Sequence, residues 1–353
     1  MKNAMILYLV ASGLAGCSTG PQETVHQMPL RLEKELDTTK LLTTIALGSC
    51  NRQDLPQVYW DSIKVQDPDL WIWLGDNIYG DTEDMLVLEA KYRQQKTNEH
   101  YSAFISQIPV IGIWDDHDYG VNDGDQHYPF KKASKELMLD FLDVGTDATV
   151  RKREGAYQSF SFGPSGKKVK IILLDARYFR DTLQGTGMRS GPRYLPNETG
   201  DILGEVQWKW LENELRQSDA QVHLIGCGIQ MIPEEQGFEK WANFPQARNR
   251  LLALISEIDP PGLLLMSGDR HIAELSKWPF AEGEKNIYEL TASGLTHTWS
   301  GLLVEEPNRY RVGDLLVSKN YGVIRINWDF SPPRLSVAVS STDNEILLRE
   351  ELP

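Results

Sequence analysis

Five short apolar runs in this chain stop on polar or ionisable residues, and that repeated ending limits the folds open to it more than any other feature. The stops read GSCN at 48–51, GDNIY at 75–79, DDHD at 115–118, DAR at 175–177 and GDRH at 268–271. Runs of this length, rich in Ile, Leu and Trp, read as buried strands. In layered α/β sheets ligands sit just beyond the carboxyl ends of the strands, where loops from several strands converge. Polar strand ends of this kind therefore belong to one cleft.

The rest of the chain fits the same class. TIALGSC, DLWIWLGD, VIGIWDDHD, YQSFSFG, VKIILLDAR, QVHLIGCG, GLLLMSGDRH, NIYELTAS, YGVIRINW and RLSVAVSS are candidate strands. Candidate helices lie near 56–66, 83–104, 130–143, 204–217 and 246–257, with GEVQWKWLENELRQ the clearest helical pattern. Strands alternating with helices predict an α/β layered domain. With 353 residues, 41% of them hydrophobic, the chain can bury a substantial core. A formal net charge of -14 argues against a polyanionic partner, so no nucleic-acid binding is expected.

Taken alone, Asp76 after an apolar run reads as a turn or helix-cap residue. Its neighbours change that. Asp76, Tyr79, Asp116, His117, Asp118, Asp269 and His271 together carry more charge than one buried cleft can hold unless cations share it. Bound metal is the economical explanation.

The order GD, then DDHD, then GDRH resembles the metallophosphoesterase (calcineurin-like) series. GSCNR, WDDHDYGVND, LLDARYFR, LGEVQWKWLENEL, KWANFPQARNRLL and SGDRH are similar to blocks of the alkaline phosphatase D (PhoD-like) family, in order from Gly48 to His271. The resemblance implies a four-layer α/β/β/α sandwich over 44–353. It also implies a binuclear metal centre that hydrolyses phosphoesters through a hydroxide bridging the metals. Cys50 stands where that family has its first metal ligand, Asp76 looks like the bridging carboxylate, and Tyr79 resembles a phenolate ligand. Asp116 occupies the place of a metal-binding Asn, with His117 as general acid and Asp118 orienting it. Asp269 and His271 would each take a different metal. Arg177 resembles a position beside the substrate, and His297 follows another strand as a second pocket candidate.

The donor chemistry can be weighed without the family. Thiolate, phenolate, carboxylate and imidazole from Cys50, Tyr79, Asp76 and His271 suit a trivalent, polarising metal such as Fe3+. Asp76, Asp116 and Asp269 offer oxygen only, which suits Ca2+, with Mg2+, Mn2+ or Zn2+ as alternatives. Cys50 has two other readings, as a small buried hydrophobe or as half of a bridge to Cys227. Arg177 has a competing reading as a salt-bridge partner; Gln230 reads as an ordinary polar residue, with replacement of a ligand missing from the superfamily pattern as the alternative. The segment 180–200, with Arg180, Arg189 and Arg193, reads as either a lid or a surface excursion. A small-molecule or lipid phosphoester is the expected substrate. A phospholipase-type phosphodiesterase, a non-catalytic metal-binding lipoprotein and a structural envelope protein stand as alternatives. No protein partner is implied.

The opening MKNAMILYLVASGLAGCSTG has a signal-peptide layout, and LAGC resembles the lipobox of bacterial lipoproteins. The expectation is a signal peptide over 1–16, a lipid anchor on Cys17, and a polar tether over 17–43. Ser18 then favours the outer membrane of a bacterial envelope, facing the periplasm. The tether is too short for the β-sandwich domain that members of the resembled family often carry.

Overall fold

The computed structural model describes residues 30–32, 35–188, 191–279, 285–299 and 306–353. The 1–16 segment, Cys17, Ser18, Arg189 and part of the tether lie outside the described residues. In the first half, β1 (Thr44–Gly48), α1 (Tyr59–Val65), β2 (Leu70–Leu74), α2 (Met85–Lys96), α3 (Glu99–Ile105) and β3 (Val110–Ile113) make two parallel crossovers. The short α4 (Asp116–Tyr119) and α5 (Lys131–Phe141) follow. A second sheet then grows from β4 (Gln158–Phe162) and β5 (Val169–Leu174). After it come a two-residue-strand hairpin, β6 (Gln184–Gly185) with β7 (Tyr194–Leu195), then α6 (Gly204–Arg216) and β8 (Val222–Cys227). That sheet is completed by α7 (Pro245–Ile258), β9 (Leu263–Ser267), β10 (Ala273–Pro279), β11 (Asn286–Ala292) and β12 (Arg311–Leu316). The chain finally returns to the first sheet as β13 (Asn320–Asn327), β14 (Arg334–Ser341) and β15 (Ile346–Leu352).

Strand order is β15-β14-β13-β1-β2-β3 in the first sheet and β12-β10-β11-β9-β8-β5-β4 in the second. The two-residue period of a strand explains why both sheets are covered on both faces. In β5, Ile171 and Leu173 join the core shared by the two sheets, whereas Ile172 and Leu174 face the core under α6 and α7. In β8 and β9, Leu224, Leu264 and Met266 turn to the shared core, and Ile225 and Leu265 turn away. On the other side Trp71 and Trp73 of β2 point outward to Trp60 of α1, at ring separations of 5.0 and 5.3 Å. Truncating one such buried aromatic costs about 3–5 kcal/mol, so this outer helix layer is firmly seated. The result is the expected α/β/β/α order of layers.

The parallel strands of both sheets send their carboxyl ends to one edge of the sandwich. Gly268 lets them meet: a Cβ there would lie 2.4 Å from the Leu74 carbonyl oxygen and 2.7 Å from Ser49 Oγ. Two features depart from expectation. The single helix over 83–104 is two helices, because the Asn98 side chain accepts a hydrogen bond from Tyr101 N at 3.2 Å and starts α3 anew. Strands β6, β7, β10, β12 and β15 are additions; β12 and β15 are edge strands with little apolar alternation. Among the described residues no helix is long and apolar enough to cross a membrane.

Candidate metal centre

The strand ends leave the sheets by an unusual backbone route. Cys50, Asp76, Asp269 and His271 all have positive φ, between 50° and 67°. Non-glycine residues occupy this left-handed region at a cost, and such strain clusters at functional sites. The turns point four donor side chains back across the gap between the sheets.

One group gathers Cys50, Asp76 and His271, whose ligand atoms lie within 4.8 Å of one another. Cys50 Sγ is 3.4 Å from Asp76 Oδ2, and Tyr79 OH is 3.3 Å from the same oxygen and 2.9 Å from His271 Nε2. His297 joins them, with its Nε2 3.0 Å from Tyr79 OH and its Nδ1 3.0 Å from Thr296 Oγ1. Two further groups within the same spacing are Asp76, Asp116 and His117, and Asp115, Asp116 and Asp269. Asp76 is common to the thiolate group and its carboxylate neighbour. Cys50 and Cys227 are both free, and Cys227 Sγ accepts from Trp241 Nε1 at 3.4 Å. The disulfide alternative is thereby removed.

The electrostatics ask for a cation. Burial raises the Asp76 carboxyl well above its usual range, opposed by the His117 cation and reinforced by Asp116, Asp118 and Asp269. Burial likewise pushes Asp269 up to about 8 and raises Asp115, against the pull of Arg270 and Arg177 respectively. Burial and then Asp76 raise the Cys50 thiol well above its normal value. Burial disfavours charge on His117, but Asp76, Asp81 and Asp116 outweigh it and lift the imidazole to about 11. Burial of His271, with His297 and Arg270 nearby, holds that ring at about 3, in the neutral form that ligates metals. Asp115 Oδ2 is buried with no hydrogen-bond partner. An orphaned carboxylate oxygen among repelling carboxylates fits a bound cation, which relieves both costs.

Two expected roles are corrected. Asp118 does not touch the His117 ring: neighbours on a helix point roughly 100° apart. Its carboxylate instead accepts from Asp115 N at 2.7 Å, Asp76 N at 3.1 Å and Asn77 N at 3.3 Å, clamping the β2 and β3 turns together. The ring partner is Asp81, whose Oδ1 lies 2.7 Å from His117 Nδ1. Nothing in the sequence singles out Asp81, because the pairing depends on the turn after β2 folding under α4. Arg177 is the second correction. Its guanidinium is fully buried and paired with Asp115 at 2.6 Å and Glu239 at 2.7 Å, so it lies among the acids beneath the candidate centre and takes the salt-bridge role.

Gln230 takes the ordinary polar role, donating to Glu274 Oε1 at 2.7 Å and Thr291 Oγ1 at 3.0 Å. Arg270 is buried and paired with Glu306. Asp115, Asp123 and Glu239 also reach the cluster, the last two with Asp116. Asp115 stands in the DDHD motif, but adjacency alone does not say that both acids face the cleft.

A family model described as PhoD-like phosphatase matches residues 45–305. Among solved structures the fold is similar to one described as the structure of PhoD, with TM-score 0.68 and 15% identity, covering 90% of this chain and 70% of that one. A purple acid phosphatase from yellow lupin (Lupinus luteus) seeds gives TM-score 0.61 at 10% identity, over 90% of this chain and 55% of its own. GAP50, described as the anchor in the inner membrane complex of Plasmodium, gives 0.56 at 14% identity over 89% of each chain. Among curated proteins none matches by sequence. Fold alone spans phosphatases and an anchor, so activity has to be argued from the site.

Proposed function

Because the chain belongs to the PhoD-like phosphatase family, a family of metal-dependent phosphoric ester hydrolases, we propose that it works through two adjoining metal positions joined by Asp76. Cys50, Asp76, Tyr79 and His271 would hold one ion, and Asp76, Asp116 and Asp269, with Asp115 beside them, the other. The observation that carries this reading is the sharing of Asp76 and Asp116 between neighbouring donor groups beside His117. Metal ions held there would polarise phosphoryl oxygens and would lower the pKa of water to give a nucleophile at neutral pH.

The chain's own residues supply the remainder. His117 is the general acid. With Nδ1 tied to Asp81, Nε2 is the atom that carries the proton to the departing alkoxide. Tyr79 stacks on the His117 ring at 4.1 Å and limits its rotation. Asp81 is the positioning residue. Asp81→Asn is expected to leave metal content unchanged and to lower turnover of alkyl phosphates about 10- to 100-fold. An aryl phosphate with a good leaving group is expected to change far less, and equal losses on both would refute the assignment.

Thiolate and phenolate favour iron at the Cys50 position, and oxygen-only ligands favour Ca2+, Mg2+ or Mn2+ at the other. Elemental analysis and a visible spectrum of natively loaded protein test this. A charge-transfer band is expected, and Tyr79→Phe is expected to bleach or shift it; a band unmoved by that substitution removes the phenolate from the ligand set.

A further inference from the structure

Next to His271 lies an aromatic cluster that the hydrolytic chemistry leaves unused. Trp299 N donates to the His271 carbonyl at 3.3 Å, and its indole N–H donates to the Arg270 carbonyl at 2.9 Å. Its ring lies 5.4 Å from that of His271 and 5.8 Å from that of Phe238, near-parallel to the latter at 29°. Over Phe238 sits the Arg193 guanidinium, 4.5 Å from the ring centroid. The β6–β7 hairpin fixes this cation from its backbone: Arg193 N donates to the Gly237 carbonyl at 2.7 Å, and Thr186 N donates to the Arg193 carbonyl at 2.8 Å. Next to it, Tyr194 OH donates to Asp123, whose N–H donates to Asp116 Oδ2 at 2.7 Å. Arg193 is thus tied to a candidate metal ligand on each side, His271 through the rings and Asp116 through Tyr194.

The lack of a carboxylate partner sets Arg193 apart from its neighbours. Arg177, Arg180 and Arg270 are each buried and paired with a carboxylate. Arg193 is exposed, and among the described residues no carboxylate lies within 4.0 Å of it. Arg153 and Arg334 also rest on rings without an ion pair among the described residues, but of these cations only Arg193 adjoins the candidate metal ligands through its ring and its chain neighbour. A planar fork of donors resting on a ring suits an anionic oxygen pair.

We propose that Arg193, with the Phe238 ring beneath it and the Trp299 ring next to that, is a specificity subsite for the leaving group, selecting phosphoesters whose alcohol part carries a second negative charge. This rests on the hydrolase reading for the scissile phosphate and names the substrate class for the same cleft. Phenyl phosphate and 4-carboxyphenyl phosphate differ by that one charge, and so do the uncleavable phenylphosphonate and 4-carboxyphenylphosphonate. On metal-loaded protein, Arg193→Ala is expected to lower kcat/KM for the carboxylated ester about tenfold while leaving phenyl phosphate within about twofold. Calorimetry is expected to show the same selective loss with the phosphonates, and Arg193→Lys is expected to recover part of it. Equal losses on both members of each pair, or no loss on either, overturn the subsite. If the wild type cleaves neither ester yet keeps an Arg193-dependent preference between the phosphonates, the hydrolase reading falls and the subsite stands. Turnover without any charge preference overturns the subsite alone.

Discussion

Asp76→Asn is expected to cost about a thousandfold or more in phosphoester hydrolysis, and to leave the protein with less than its full metal complement. The Asp76 carboxylate is the group that meets Cys50 and Tyr79 on one oxygen and the His117 backbone N–H on the other, at 3.4, 3.3 and 3.4 Å. Asn keeps the shape and accepts the left-handed backbone at φ 50° that most residues resist. It removes the charge alone. The metal-free protein should respond in the opposite sense. Asp76 is buried beside Asp116, Asp118 and Asp269, and neutralising it relieves repulsion and desolvation together. The apo variant is therefore expected to be more stable than apo wild type by about 1 kcal/mol or more. Metal per chain by elemental analysis and denaturant unfolding in excess chelator measure the two effects. Unchanged metal stoichiometry would remove Asp76 from the centre.

His117→Ala carries the second large effect, of a different kind. Metal content is expected to stay at the wild-type level, since the donor sets close around Cys50, Asp76, Tyr79 and His271 on one side and Asp116 and Asp269 on the other. Turnover of an alkyl phosphate is expected to fall about 10²- to 10⁴-fold, the usual worth of a placed general acid. A nitrophenyl ester, whose leaving group departs without a proton, should lose much less. The signature is the divergence between the two esters, read from kcat in one preparation. Full activity on the alkyl ester would sink the role given to His117.

The strand-end residues stood out through a local signal, an apolar run, a Gly or a tight turn and then a donor, while the roles expected of them came from the family resemblance. Cys50, Asp76, Asp116, Asp269 and His271 needed no knowledge of the sheet order, and the structure brings them to one edge. Arg177 carried the same local signal and ended elsewhere. A strand-end residue faces the cleft or the layer beneath according to its turn, and the turn after β5 buries Arg177 between Asp115 and Glu239. Asp81 shows the reverse failure, since its partner lies 36 residues away and only the packed turn joins them. Edge strands β12 and β15 and the break at Asn98 escaped for a third reason. Edge strands need little apolar alternation, and one capping Asn is a weak mark inside a long helical pattern.

The route of the chain through the two sheets also orders events in time. Tyr79 and His271, in contact at 2.9 Å, stand 192 residues apart, and Cys50 meets Ser293 across 243. β1, β2 and β3 can pair as soon as they exist, but neither donor group of the centre can close until β9 has crossed over and docked against them. Contacts of such long sequence separation form late and slowly. With the ligand sets proposed above, metal loading is therefore expected to follow folding, and the species that receives the ions is expected to be a folded protein whose crowded carboxylates await their counter-charge at a cost.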